Sequence, residues 1–158
     1  MRPALVLMLL LAACTSGSGP APQASSAPPP APVAPGPNQV WRGTISCDPI
    51  PGIVRKVRVQ RFQVDVSGGI ARYERTVLQA DSGIEASIHE RGEGAIAPGG
   101  PVTLKGQATG GQYTYTAEYS GRMAPEDRIA RLTGYQHWRF AGSAPADRPC
   151  QITLRRQG

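Results

Sequence analysis

From Gln39 onward, apolar and polar positions alternate in short stretches broken by glycine and proline. Period-two alternation is the mark of strands that bury one face and wet the other. Trp41, Gly43, Ile45 and Cys47 share one parity, with Arg42, Thr44 and Ser46 on the other; Asp48-Pro49-Ile50-Pro51-Gly52 then reads as a turn. Val57 and Val59 share one parity while Phe62, Val64 and Val66 share the other. That switch predicts a bulge near Gln60-Arg61, or two strands in succession. Ser67-Gly68-Gly69 is placed as a hairpin turn. The next stretch has no clear face, since Ala71, Tyr73, Arg75 and Val77 alternate with Ile70, Arg72, Glu74 and Thr76. Ile84, Ala86 and Ile88 alternate with Glu85, Ser87 and His89, and Pro98-Gly99-Gly100-Pro101 is a break. Val102 and Leu104 follow; Gly110-Gly111 leads into Tyr113, Tyr115, Ala117 and Tyr119. Farther on, Gln136, Trp138 and Phe140 oppose Tyr135, His137 and Arg139, and Cys150, Ile152 and Leu154 oppose Gln151, Thr153 and Arg155. About eight short strands at this spacing predict an all-β fold, a small antiparallel barrel or sandwich. Pro125 to Arg128 suits a single helical turn, and no amphipathic helix is expected.

Upstream, the alternation stops. Residues 15–38 hold eight prolines among Ala, Ser and Gly, with no charge. Such a segment cannot bury enough apolar surface to offset its ordering entropy, which predicts a disordered linker over 14–38. At about 3.1 Å per residue in polyproline II it spans roughly 70 Å when extended. The chain begins with Met1-Arg2, an apolar run from Ala4 to Leu11, and the small residues Ala12 and Ala13. Charged, apolar and small residues in that order predict a signal peptide over 1–13, too short for a stop-transfer helix. The next residue is Cys14. Leu11-Ala12-Ala13-Cys14 resembles the lipobox of bacterial lipoproteins. The resemblance implies a diacylglyceryl group on the Cys14 thiol, cleavage before that residue, and acylation of the new amino terminus, with chains such as palmitate. Two or more acyl chains give stable anchoring where one does not. Thr15 stands where, in the enterobacterial pattern, an Asp retains the protein in the inner membrane. The resemblance thus implies an outer-membrane anchor, with residues 39–158 as a β domain facing the periplasm or the cell surface.

With Cys14 lipidated, Cys47 and Cys150 remain, each on the apolar parity of its strand, one in the first strand and one in the last. Exported compartments keep disulfides oxidised, so the two are expected to bond. Closing a loop of about 100 residues stabilises by up to roughly 4.7 kcal/mol in the chain-entropy model. No C-x-x-C spacing is present, so the bond is expected to be structural rather than redox-active.

The formal charge is +6, from 17 basic and 11 acidic residues. Arg55, Lys56, Arg58 and Arg61 form a basic stretch suited to anionic lipid headgroups or to guarding an edge strand. It lacks the interleaved aromatics of single-strand nucleic-acid binding, and export removes nucleic acid as a partner. His89 lies near Glu85, Glu90 and Glu93, but no histidine pair has helical ligand spacing, so no metal is expected. Gly92 to Ala97 fits G-x-G-x-x-A in letters, yet Pro98-Gly99-Gly100-Pro101 follows. A dinucleotide site needs a helix there, so no cofactor is expected.

Tyr113, Tyr115, Tyr119 and Trp138 form a candidate ligand-binding face, the alternative being a place in the core. The expected function is non-catalytic: a membrane-anchored module binding a protein or envelope component. A barrel of this size with Trp41, Gly43 and the cysteine pair is similar to calycin-type barrels such as lipocalins and avidins. It is also similar to lipid-anchored protease inhibitors of Gram-negative bacteria. The resemblance implies two alternatives, a small-ligand carrier or an inhibitor. A carrier requires an apolar cavity lined by the tyrosines. A protein-binding module requires a filled interior and an exposed aromatic patch. A hydrolase requires a cleft where His89 or His137 meets a carboxylate and a nucleophile.

Overall fold

The computed structural model describes residues 38–51, 58–78, 85–110, 113–140 and 144–158. The signal peptide, Cys14, the linker up to residue 37, Arg55, Lys56 and Ile84 lie outside the described residues. Eight strands follow one another: β1 (Gln39–Cys47), β2 (Arg58–Ser67), β3 (Ile70–Leu78), β4 (Glu85–Ala95), β5 (Pro101–Gly110), β6 (Tyr113–Arg122), β7 (Ile129–Phe140) and β8 (Ala146–Arg156). Each is antiparallel to the next, and β8 pairs with β1, closing an up-and-down barrel.

Alternation builds the wall. Trp41, Ile45, Val64, Leu104, Tyr119, Leu132, Ile152 and Leu154 fill the inside and are buried. Arg42, Thr44, Gln63, Asp65, Glu118, Thr153 and Arg155 stand outward and are exposed. Removing the apolar set from water stabilises the closed wall by about 25 cal/mol per Å². Apolar inside and polar outside is the inverse of a transmembrane barrel, whose apolar band faces lipid.

The expected bulge near Gln60-Arg61 is absent. β2 pairs with β1 in unbroken register from Gln39↔Val66 to Cys47↔Arg58. Val59 simply faces outward, 64% exposed, and Gln60 takes the inner position because its Oε1 accepts from Arg75 Nη1 at 2.6 Å. The irregularity lies instead between Val77 and Leu78, where β3 shifts register against β4. β3 itself turns Ala71, Tyr73 and Val77 inward, and Arg75 shares their parity. At residues 125–128 the backbone makes a turn, Asp127 N donating to Ala124 O at 3.0 Å.

The β2–β3 hairpin turns at Gly68 (φ 58°) and Gly69 (φ 77°). Positive φ at both central residues matches the turn whose twist suits a two-residue hairpin, and only glycine takes it without strain. Beyond Asp65↔Arg72 the two strands no longer pair, leaving three registered pairs. Arg75 spans the parting strands, and its guanidinium carbon lies 5.8 Å from the Phe62 ring centroid.

Cys47 and Cys150 are direct cross-strand partners on β1 and β8. They form a disulfide 103 residues apart in sequence, with Cα atoms separated by 4.1 Å. The expected bond is therefore present, and it sits on the strand pair that closes the barrel.

Candidate functional site

Inside the barrel a carboxylate is fully enclosed. Glu90 on β4 is 0% exposed. Its parity is that of Ile88, which is also buried, so the pleat drives the side chain inward. A charge in such a place costs several kcal/mol unless paired and hydrogen-bonded. The neighbouring strands supply what it needs. Tyr73 and Tyr119 hydroxyls donate to Glu90 Oε1 at 2.8 and 2.9 Å. The Tyr115 hydroxyl donates to Oε2 at 2.6 Å, and Arg75 Nε donates to the same oxygen at 2.7 Å. Arg75 Nη2 completes the ion pair at 2.5 Å.

The network continues outward. Gln136 Nε2 donates to the Tyr119 hydroxyl at 3.0 Å, and Trp138 Nε1 donates to Gln136 Oε1 at 3.1 Å. Ring packing holds the donors: Tyr115 lies 4.3 Å from Trp138, and Phe62 lies 4.8 Å from Tyr73. Two glycines on adjacent strands make room for Tyr73. A Cβ on Gly106 would fall 2.1 Å from the Tyr73 hydroxyl, and one on Gly92 2.6 Å from its ring. Gly92 and Gly106 are register partners, so together they form a shelf that aims the phenol at Glu90.

Burial, then the charge of Glu90, push the Tyr73, Tyr115 and Tyr119 phenols well above the usual range. Burial pulls Arg75 down, but Glu90, Tyr115 and Tyr119 together outweigh it and raise the guanidinium. At neutral pH the three phenols are therefore donors, neither bases nor nucleophiles. Their O–H groups are already spent on Glu90.

Tyr115, Tyr119 and Trp138 therefore line the interior, 2%, 0% and 5% exposed; the side chain of Tyr113 lies outside what is described. Neither histidine joins them. His89 is exposed on β4, with Nδ1 3.5 Å from Thr76 Oγ1. His137 is exposed on β7 and pairs through Nδ1 with Asp147 Oδ1 at 2.7 Å. Among the described residues no group of three His, Cys, Asp or Glu could hold a metal. The hydroxyl nearest in kind to a nucleophile in this region, Ser120 Oγ, is bonded to Thr103 Oγ1 at 2.9 Å.

The outer wall of β6, β7 and β8 carries a groove of about 450 Å³ lined by Glu118, Ser120, Thr133, Tyr135, His137, Pro149 and Gln151. Register sets Glu118, Tyr135 and Pro149 side by side across the three strands, with His137 and Asp147 one step along. Tyr135 is 52% exposed, and its ring lies 6.4 Å from that of His137, nearly parallel.

Sequence reasoning passed over Glu90 and Arg75 as site residues. The available signal was parity: each sits among residues that face the core. The chain matches no known family model, no curated protein and no solved structure.

Proposed function

We propose that this protein is an envelope lipoprotein, anchored through acyl chains on Cys14, whose β domain is a non-catalytic module that binds a protein partner in the β6–β8 groove. The observation that carries the reading is the division of the aromatics. Phe62, Tyr73, Tyr115, Tyr119 and Trp138 are committed to the interior, whereas Tyr135 stands exposed beside a recess. A half-exposed tyrosine over a concave surface of mixed polarity is the kind of anchor that protein interfaces use. Glu118 and Asp147 flank it, which suits an extended segment carrying a cation next to an apolar side chain. A small-ligand carrier has less support, because the interior phenols that would meet a ligand are bonded to Glu90. A hydrolase has less again, because the histidines face outward from different strands.

The test is a photo-crosslinking amino acid placed at Tyr135 in intact cells, with the same group at Glu74, exposed on β3, as the control. The reading predicts one discrete adduct from position 135 and none from 74. No adduct, or the same smear from both positions, would contradict it.

A further inference from the structure

The closed wall also gathers four arginines on the outer face of β2, β1, β8 and β7. Register places Arg42 of β1 opposite Arg155 of β8. One step along, Arg61 of β2, Thr44 of β1, Thr153 of β8 and Arg131 of β7 form a row. All four arginines are exposed. Neighbouring strands lie about 4.8 Å apart and same-face residues about 6.7 Å apart along a strand, so the four stem from a patch of about 14 by 7 Å.

None of these four guanidinium groups meets a carboxylate among the described residues. Arg42 Nε donates to Gln63 Oε1, and Gln63 in turn holds Asp65, the acid on β2 beside the patch. Arg122, next along the row from Arg131, is different: Asp127 and Glu126 hold it at 2.8 and 2.6 Å. Like charges directly opposite on paired strands are destabilising, and no carboxylate among the described residues offsets the Arg42–Arg155 pair. Arg42, Arg131 and Arg155 lie on strands paired on both sides, so they guard no free edge. Ile129, 40% exposed, is the partner of Arg155 on β7. An apolar side chain among cations is a combination that suits the headgroup region of a bilayer.

We propose that this arginine patch docks the barrel on the phosphate headgroups of an anionic lipid bilayer. The docking stands on charge placement and does not require lipid on Cys14. A bilayer accepts the patch because anionic headgroups supply a counter-charge that no carboxylate among the described residues supplies, and each arginine near the surface adds to the attraction.

The full chain carrying Cys14→Ser would be sedimented with vesicles of phosphatidylcholine alone or mixed with phosphatidylglycerol. Any binding through the apolar leader appears with both and forms the baseline. The expected result is tighter binding to the anionic vesicles that weakens with added salt. The triple variant Arg42→Gln/Arg131→Gln/Arg155→Gln is expected to lose that gain by about a hundredfold. A control triple, Arg72→Gln/Arg91→Gln/Arg139→Gln, removes equal charge elsewhere and is expected to keep most of it; tryptophan fluorescence reports folding of both. Equal binding to the two vesicle types, equal loss in the two triples, or displacement by millimolar inorganic phosphate at constant ionic strength would overturn the proposal. The crosslink at Tyr135 involves no vesicle, so failure of the groove reading and failure of the docking reading are separable.

Discussion

Glu90→Gln is the substitution on which the interior account is most exposed. It keeps the shape of the side chain and removes its charge. The carboxylate accepts three phenol hydrogen bonds and the Arg75 guanidinium. A glutamine offers one oxygen to those donors and turns N–H groups toward the rest. Arg75 is left with little solvent, its side chain 9% exposed, and no counter-charge. Removing one member of a buried pair costs about 3–5 kcal/mol, against a total stability of about 5–15 kcal/mol for a domain of ordinary size. Arg75→Met is expected to cost a similar amount, since it strands the carboxylate instead. The double variant removes both charges and is expected to fall short of the summed costs by about 2–3 kcal/mol. Urea unfolding with the disulfide intact measures all three. Trp41 and Trp138, 0% and 5% exposed, report the transition, and an unchanged dependence on urea confirms that the same surface unfolds. A cost below about 1 kcal/mol for Glu90→Gln, or additivity within about 0.5 kcal/mol in the double variant, would refute the reasoning.

Three further outcomes follow from the same geometry. The interior phenols resist ionisation in the barrel, whereas a free phenol ionises near pH 10; above that pH the unfolded chain binds fewer protons than the folded one. Stability from Tyr73, Tyr115 and Tyr119 is thus intact below about pH 10 and falls above it, by about 4 kcal/mol per pH unit for the three together. Their phenolate absorbance is expected to rise in step with the loss of tryptophan signal, and ionisation near pH 10 in a barrel that stays folded would contradict this. Reducing Cys47–Cys150 frees a loop of 103 residues, and denaturation with and without reductant is expected to differ by about 4 kcal/mol; a difference under 1 kcal/mol would show that the β1–β8 closure does not depend on the bond. Gly106→Ala drives a methyl group into the Tyr73 hydroxyl and is expected to cost about 2–3 kcal/mol. In a Tyr73→Phe background the same change is expected to cost less, and an equal cost in both backgrounds would place the clash elsewhere.

The alternation in β1, β6 and β8 was legible because the inward positions there, Gln39, Arg148 and Arg156 apart, are apolar or glycine and nearly every outward one is polar. The disulfide was legible for the same reason, both cysteines lying on the inner parity of the strands that meet at closure. The interior network was not. Parity places Glu90 with Ile88 and Arg75 with Tyr73, but a charged residue on an inner parity ordinarily signals a wet face. Only the pairing of β3 with β4, the reach of β6 across the barrel and the glycine shelf under Tyr73 turn those charges into mutual partners. Val59 misled in the opposite direction: one outward valine next to an inward Gln60 imitated a break in register. The groove was invisible in the sequence, since Glu118, Tyr135 and Pro149 come from three strands and meet only through the register.

The proposed lipid anchor holds the β domain at a membrane through Cys14, and mass spectrometry of the amino-terminal peptide from envelope-purified protein tests that directly. It predicts a chain beginning at Cys14 that carries a diacylglyceryl thioether and an acylated amino terminus. A free thiol at Cys14, or a peptide still joined to Ala13, would contradict it.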